Sequence, residues 1–156
     1  MLWLMLAPVD TTQATGTLAM DIEAKMRQML PEDQYQYIIT IPQLSSSLPG
    51  EYDSLSVQLQ GNNRPFGSCY VKLYFYQNGT VASTANVGLQ VQWFQQVRIA
   101  AMTIERGQAL RDDMFAVVQQ ELKTLADQPL DATANLKGLE AARTIRQGTT
   151  LSKSLV

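Results

Sequence analysis

The sequence predicts an α+β protein, mostly β, built in two parts. A fifteen-residue stretch from Ala100 to Met114 returns 41 residues later as Ala141 to Leu155. The gapless alignment keeps both alanines, the Thr, the Ile, the Gly and the Leu, and pairs Met114 with Leu155. Two copies are too few for a solenoid and point to a paired motif inside one domain. Upstream, Asn78-Gly79 separates two alternating runs, which is the dipeptide a type I′ hairpin favours. Ahead of both lies one stretch of helical period.

In chain order, Leu2 to Ala7 is apolar and Pro8 to Gly16 is small and polar. The apolar run is too short for a membrane span and has no Lys or Arg before it. Residues 1–16 read either as the tail of a secretory signal with a flexible mature start, or as a short buried or frayed segment. Thr17 is placed to cap a helix through Leu30, closed by Pro31. Leu18, Ile22, Met26, Met29 and Leu30 share its apolar face. That stripe suits packing against a sheet better than a methionine-rich groove.

Tyr35 to Ile41 reads as a strand stopped by Pro42, and Ser45 to Gly50 as a loop. Leu55 to Leu59 alternates strictly, as a half-buried strand does. Residues 61–65 form a turn. The hairpin follows, Tyr70 to Gln77 and Thr80 to Val91. A simple two-residue register puts Val71, Leu73 and Phe75 on one face with Ala82 and Thr84. Tyr70, Tyr74 and Tyr76 then share the other face with Val81 and Val87. The phase of alternation breaks at Phe94, which predicts a bulge or bend over 93–96 and a candidate hinge at Gln95-Gln96. The division is therefore 1–16, then 17–96 as helix plus small antiparallel β domain, then 97–156. In the last part Phe115 to Leu122 reads as a strand and Lys123 to Leu136 as a polar excursion.

Each copy of the repeat has a physical reading. The small pair is followed by Thr-Ile as a short strand. Gly107 and Gly148 take a positive φ in equivalent turns, and Leu110 and Leu151 return to the core. The repeat residues singled out are Ala101, Ile104, Gly107 and Leu110, with Ala142, Ile145, Gly148 and Leu151.

Composition excludes much chemistry. The 156 residues carry a net charge of −2 and no basic run, which argues against nucleic acid. No histidine is present, so Ser-His-Asp and Cys-His catalysis are excluded and the commonest transition-metal ligand is missing. Cys69 stands alone, with no activating partner in Ser68-Cys69-Tyr70. Asp112-Asp113 reads as a solvated acidic pair rather than a metal site. No catalytic, cofactor or metal site is expected.

The pattern Ala-Ala-x-x-Ile-x-x-Gly-x-x-Leu-x-x-x-Met, then Leu136-Lys137-Gly138-Leu139 leading into the second copy, resembles the SAF domain, a β-clip module. That module is shared by type III antifreeze proteins, sialic acid synthase C-termini, some sugar-acid dehydratases and pilus-assembly proteins. With a β-rich domain in front, the whole layout resembles the periplasmic chaperones of the flagellar P-ring, the FlgA family. The resemblance implies a non-enzymatic periplasmic chaperone whose partner is the flagellar P-ring protein, with no stable membrane insertion. It also implies a further β-rich stretch after the second copy, so that 97–156 reads as a SAF domain truncated at its C-terminus. A pilus-assembly component and a ligand-binding accessory domain of an enzyme are the alternatives. Tyr35, Tyr37, Tyr70, Tyr74 and Tyr76 are the candidate client surface.

Overall fold

One helical stripe and a set of alternating runs build the chain into α1 (Thr11–Gln28), β1 (Tyr35–Thr40), β2 (Ser54–Gln60), β3 (Gly67–Gln77), β4 (Thr80–Ala100) and β5 (Phe115–Glu121). Two 3-10 turns, Asp112–Met114 and Lys153–Leu155, complete it. The computed structural model describes residues 11–31, 35–42, 44–61, 64–124 and 129–156. The apolar start at 2–7, Asn62 and Asn63 of the predicted turn, and residues 125–128 of the polar excursion lie outside them. Two units divide the chain. One comprises the described residues up to Leu30 with Ile39–Val91; the other comprises Pro31–Ile38 with Gln92–Val156.

In the first unit, α1 begins ahead of the predicted Thr17 cap. A capping residue starts a helix only if the chain before it cannot continue one, and a single Gly16 costs a helix interior only about 1 kcal/mol. Leu18, Ile22, Met26 and Leu30 are buried as a stripe, and α1 packs beside β2. Met29, expected on that stripe, is 40% exposed. Tyr52 donates its hydroxyl to Asp21 of α1 and sets its ring edge-on to Phe75, 5.3 Å between centroids.

The hairpin turn forms as the dipeptide requires, with Asn78 at φ 52° and Gly79 at φ 77°. Its register differs from the simple one. The ladder runs Gln77↔Thr80 and Tyr76↔Val81, then shifts to Phe75↔Ser83, leaving Ala82 as the extra residue of a bulge. Beyond it Leu73 faces Ala85, Val71 faces Val87, and Tyr74 faces Thr84. Val87 therefore belongs to the core face and Thr84 to the tyrosine face, the reverse of the expectation. One inserted residue flips every later side chain, because strand side chains have a period of two. The bulge also turns Ser83 inward, where its Oγ is buried without a hydrogen-bond partner among the described residues.

The ladder between β4 and β5 has no bulge over 94–96. β4 pairs with β5 from Phe94↔Glu121 to Ala100↔Phe115 without a shift, and Gln95 and Gln96 sit inside that ladder. Val87, Leu89, Val91, Trp93, Gln95 and Val97 are all buried, so the alternation passes straight through. Phe94 resembles a phase break only because a polar residue, Gln95, occupies an inward position. The real slip comes at Val97 and Arg98, both buried, after which Ala100 is buried.

The second unit is built on the repeat, whose hydrogen bonds exchange at an offset of 41. Ile104 N–H donates to Ile145 O and Ile145 N–H to Ile104 O, each 2.8 Å. Gly107 N–H donates to Ala141 O at 2.7 Å, and its counterpart Gly148 N–H to Ala100 O at 2.8 Å. Ala101 N–H reaches Met114 O, as Ala142 N–H reaches Leu155 O. Leu110 N–H reaches Leu139 O, as Leu151 N–H reaches Arg98 O. The two 3-10 turns fall at the same offset. This is pseudo-twofold pairing. Ala100, Ile104, Leu110 and Met114 with Ala141, Ile145, Leu151 and Leu155, joined by Leu136, form one buried cluster. Ala101 and Ala142 are exposed and contribute through their backbone, while the buried alanines are Ala100 and Ala141.

Gly107 and Gly148 have φ of 78° and 82°, and a Cβ at either would meet nothing within 4 Å. Substitution by Val is therefore expected to act through backbone strain alone. Each variant should lose about 1–3 kcal/mol in denaturant unfolding, and by symmetry the two losses should agree. Ser83→Ala removes an unsatisfied buried hydroxyl and is expected to be neutral or to stabilise by up to about 1 kcal/mol in the same assay.

Candidate functional site

The twofold of the second unit is broken at one place. Arg98 occupies the position equivalent to Leu139, and Gln95 the position equivalent to Leu136, by the same 41-residue offset. Both polar side chains are buried, Arg98 at 8% and Gln95 at 4% exposure. The Arg98 guanidinium donates to Ala134 O at 2.7 Å and to Asp112 Oδ1 at 2.8 Å. Asp131 accepts from the hydroxyl and the backbone N–H of Thr133. Those two bonds, helped by Gln95 and the charge of Arg98, hold its carboxyl below the usual carboxylate range against a smaller opposing effect of burial. The cluster pins residues 131–134 to β4, where Val97 bridges Asp131 and Ala132 N–H donates to Gln96 O. A buried arginine in a strand gives no periodic signal, so the sequence conceals this cluster.

The five candidate tyrosines separate. Tyr35 and Tyr37 surround Trp93 in the second unit, with ring centroids 5.0 Å and 5.2 Å from the indole. Burial, then the neighbouring Tyr35, pushes the Tyr37 hydroxyl up to about 12, and it donates to Pro31 O at 2.6 Å. These two rings are core-lining rather than free. Tyr70, Tyr74 and Tyr76 lie on the outer face of β3 in the first unit. Tyr74 donates to Gln58 Oε1 and lies 5.4 Å beneath Lys72 Nζ. Tyr70 is 63% exposed. Its ring rests over Gly88, where a Cβ would lie 3.2 Å from Tyr70 Cε1, so Gly88 is the seat of that ring. Tyr70, Gly88, Ser68, Gln90, Thr40 and Pro42 line an open depression of about 290 Å³.

Asp112, Asp113 and Cys69, the other residues weighed for chemistry, are engaged. Asp112 pairs with Arg98, and Asp113 with Arg111 at 3.1 Å. Burial pushes the Cys69 thiol up, and its sulfur lies 3.5 Å from Gly67 O. Among the described residues no group of three or more His, Cys, Asp or Glu could hold a metal. Among them, too, no helix is long and apolar enough to cross a membrane.

The chain matches no family model and no curated protein. Solved structures do match. A monoclinic crystal structure of Salmonella FlgA in closed form superposes with a TM-score of 0.57 at 14% identity, over 88% of this chain and 67% of that one. This chain has a FlgA-like fold. A crystal structure of the flagellar protein FlgA from Thermotoga maritima MSB8 aligns at a TM-score of 0.47 and 12% identity, over 93% of this chain and 51% of that one. At 14% identity the fold matched in the Salmonella structure is shared as backbone geometry, carried by largely different side chains.

The polar cluster within this FlgA-like fold makes stability pH-dependent. Asp131 has a folded-state pKa below its unfolded value, so its contribution is present above the ordinary aspartate value of about 4. It is lost as the pH falls through the lower folded value. Asp131→Asn is therefore expected to lower the melting temperature at pH 7 and to flatten its decline between about pH 4 and pH 2, measured by thermal unfolding across that range.

Proposed function

We propose that this chain is a non-enzymatic periplasmic chaperone of the FlgA type, which binds the flagellar P-ring subunit and assists its assembly around the rod. The observation that carries this reading is the FlgA-like fold, matched over 88% of the chain to Salmonella FlgA. The paired motif supports it from a second direction. Reciprocal bonds at Ile104 and Ile145 are what a SAF-type β-clip in the second unit would make. The polar groups described above are occupied in structural bonds, which suits a binding role. A ring subunit awaiting assembly exposes strand edges and apolar surface that pair wrongly when unprotected, and a β-rich partner is suited to cover them.

Of the candidate tyrosines, Tyr70 is the one on which we place client contact. Aromatic residues anchor interfaces because a rigid, amphipathic ring buries much area at small entropic cost, and Tyr70 keeps most of its surface exposed. The test is direct binding of the purified chain to the P-ring subunit of the same genome, beside complementation of a deletion strain. Binding and restored P-ring assembly are expected. Tyr70→Ala should weaken binding by about 1–2 kcal/mol, a factor of roughly 5–30. Normal ring assembly without the gene, with no measurable binding, would overturn the reading.

A further inference from the structure

β5 has an edge that lacks the usual protection. Within the second unit it pairs with β4, and among the described residues nothing pairs with its other side. Natural edge strands are kept short, charged, bulged or interrupted by proline, because their unpaired N–H and C=O groups template any passing strand. β5 has none of these devices from Phe115 to Gln120. It is seven residues long, its register with β4 has no shift, and its only charge is the terminal Glu121. It also presents apolar surface: Val117 is 56% exposed and Ala116 is exposed.

The direction of each backbone group follows from the ladder. Leu122 N–H donates to Trp93 O at 2.9 Å, so the pair that continues the register past Phe94↔Glu121 is a hydrogen-bonded one. In an antiparallel ladder bonded and non-bonded pairs alternate. Gln120, Val118 and Ala116 therefore turn their backbone groups to β4, and Glu121, Gln119 and Val117 turn theirs outward. Phe115 N–H is already taken by Asp112 O. Three outward N–H groups remain, with the carbonyls between them; those of Val117 and Gln119 lie in the uncharged stretch, and that of Glu121 closes it at the charged end.

We infer that β5 is a docking edge on which the chain receives an extended, uncharged segment of its client by strand addition. The inference rests on the chaperone reading above and names the client element it engages. Backbone bonds supply the affinity in this mode and alternate side chains supply the selection. An uncharged partner is chosen because Phe115 to Gln120 offers no ion to pair, and a charge placed beside Val117 would lose water without compensation.

The ladder dictates the variant that tests it. Val117→Pro deletes an outward donor and no bond to β4, and proline is tolerated on an edge strand when its missing N–H faces outward. Val117→Thr keeps the donor and the strand propensity. With the full chain and the P-ring subunit of the same genome, measured by calorimetry, V117P is expected to bind at least tenfold more weakly, with unchanged far-UV circular dichroism, and V117T to bind as the wild type does. If V117P loses its fold, Val117→Lys carries the test with the same expected loss. Wild-type binding that persists undiminished in V117P and V117K overturns the edge and leaves the chaperone reading standing. No wild-type binding overturns both. A wild-type dimer in light scattering that V117P dissolves assigns the edge to a second copy and overturns the client segment.

Discussion

The reciprocal bond pair between Ile104 and Ile145 is the contact on which the second unit depends. Two short, irregular stretches, neither able to bury its own apolar side chains, become a core by exchanging backbone bonds across a pseudo-twofold axis. Each isoleucine is at most 1% exposed. Everything else in the repeat follows from that crossing. Gly107 and Gly148 turn the chain so that their N–H groups reach the alanines of the opposite copy, and Leu110 and Leu151 come back beneath it. Few of these residues lie in long strands, so specificity comes from a closed set of paired bonds rather than from an extended ladder.

Symmetry also explains where the unit is asymmetric. A perfect duplication would place leucines at 95 and 98, as the second copy does at Leu136 and Leu139. Gln95 and Arg98 stand there instead, and a loop folds over them whose carbonyl at Ala134 and carboxylate at Asp131 satisfy them. Buried charged and amide groups are costly unless each has its partner. Arg98 therefore ties residues 131–134 to β4 and to the turn at Asp112.

Two open features of the surface are made by different physics. On the first unit, Tyr70 stays exposed because its partner across the ladder is Gly88, whose missing side chain gives the ring a seat. On the second, β5 is open because its outward backbone groups have no partner among the described residues.

The sequence by itself determined the elements that rest on local chemistry or on repetition. Asn78-Gly79 announced its turn, the stripe from Leu18 to Leu30 announced a helix, and the repeat announced its glycine turns and its pairing. The tertiary structure alone decided what rests on an insertion or on a buried polar residue. The bulge at Ala82 moved Val87 and Thr84 to opposite faces from those expected, because one extra residue inverts a period of two. Gln95 hid the continuity of β4, and nothing in the sequence marked Arg98, because hydrophobic pattern marks what can be buried alone. A polar side chain that is buried with its partners is visible only once those partners, 14 residues away at Asp112 and 36 residues away at Ala134, have been brought to it.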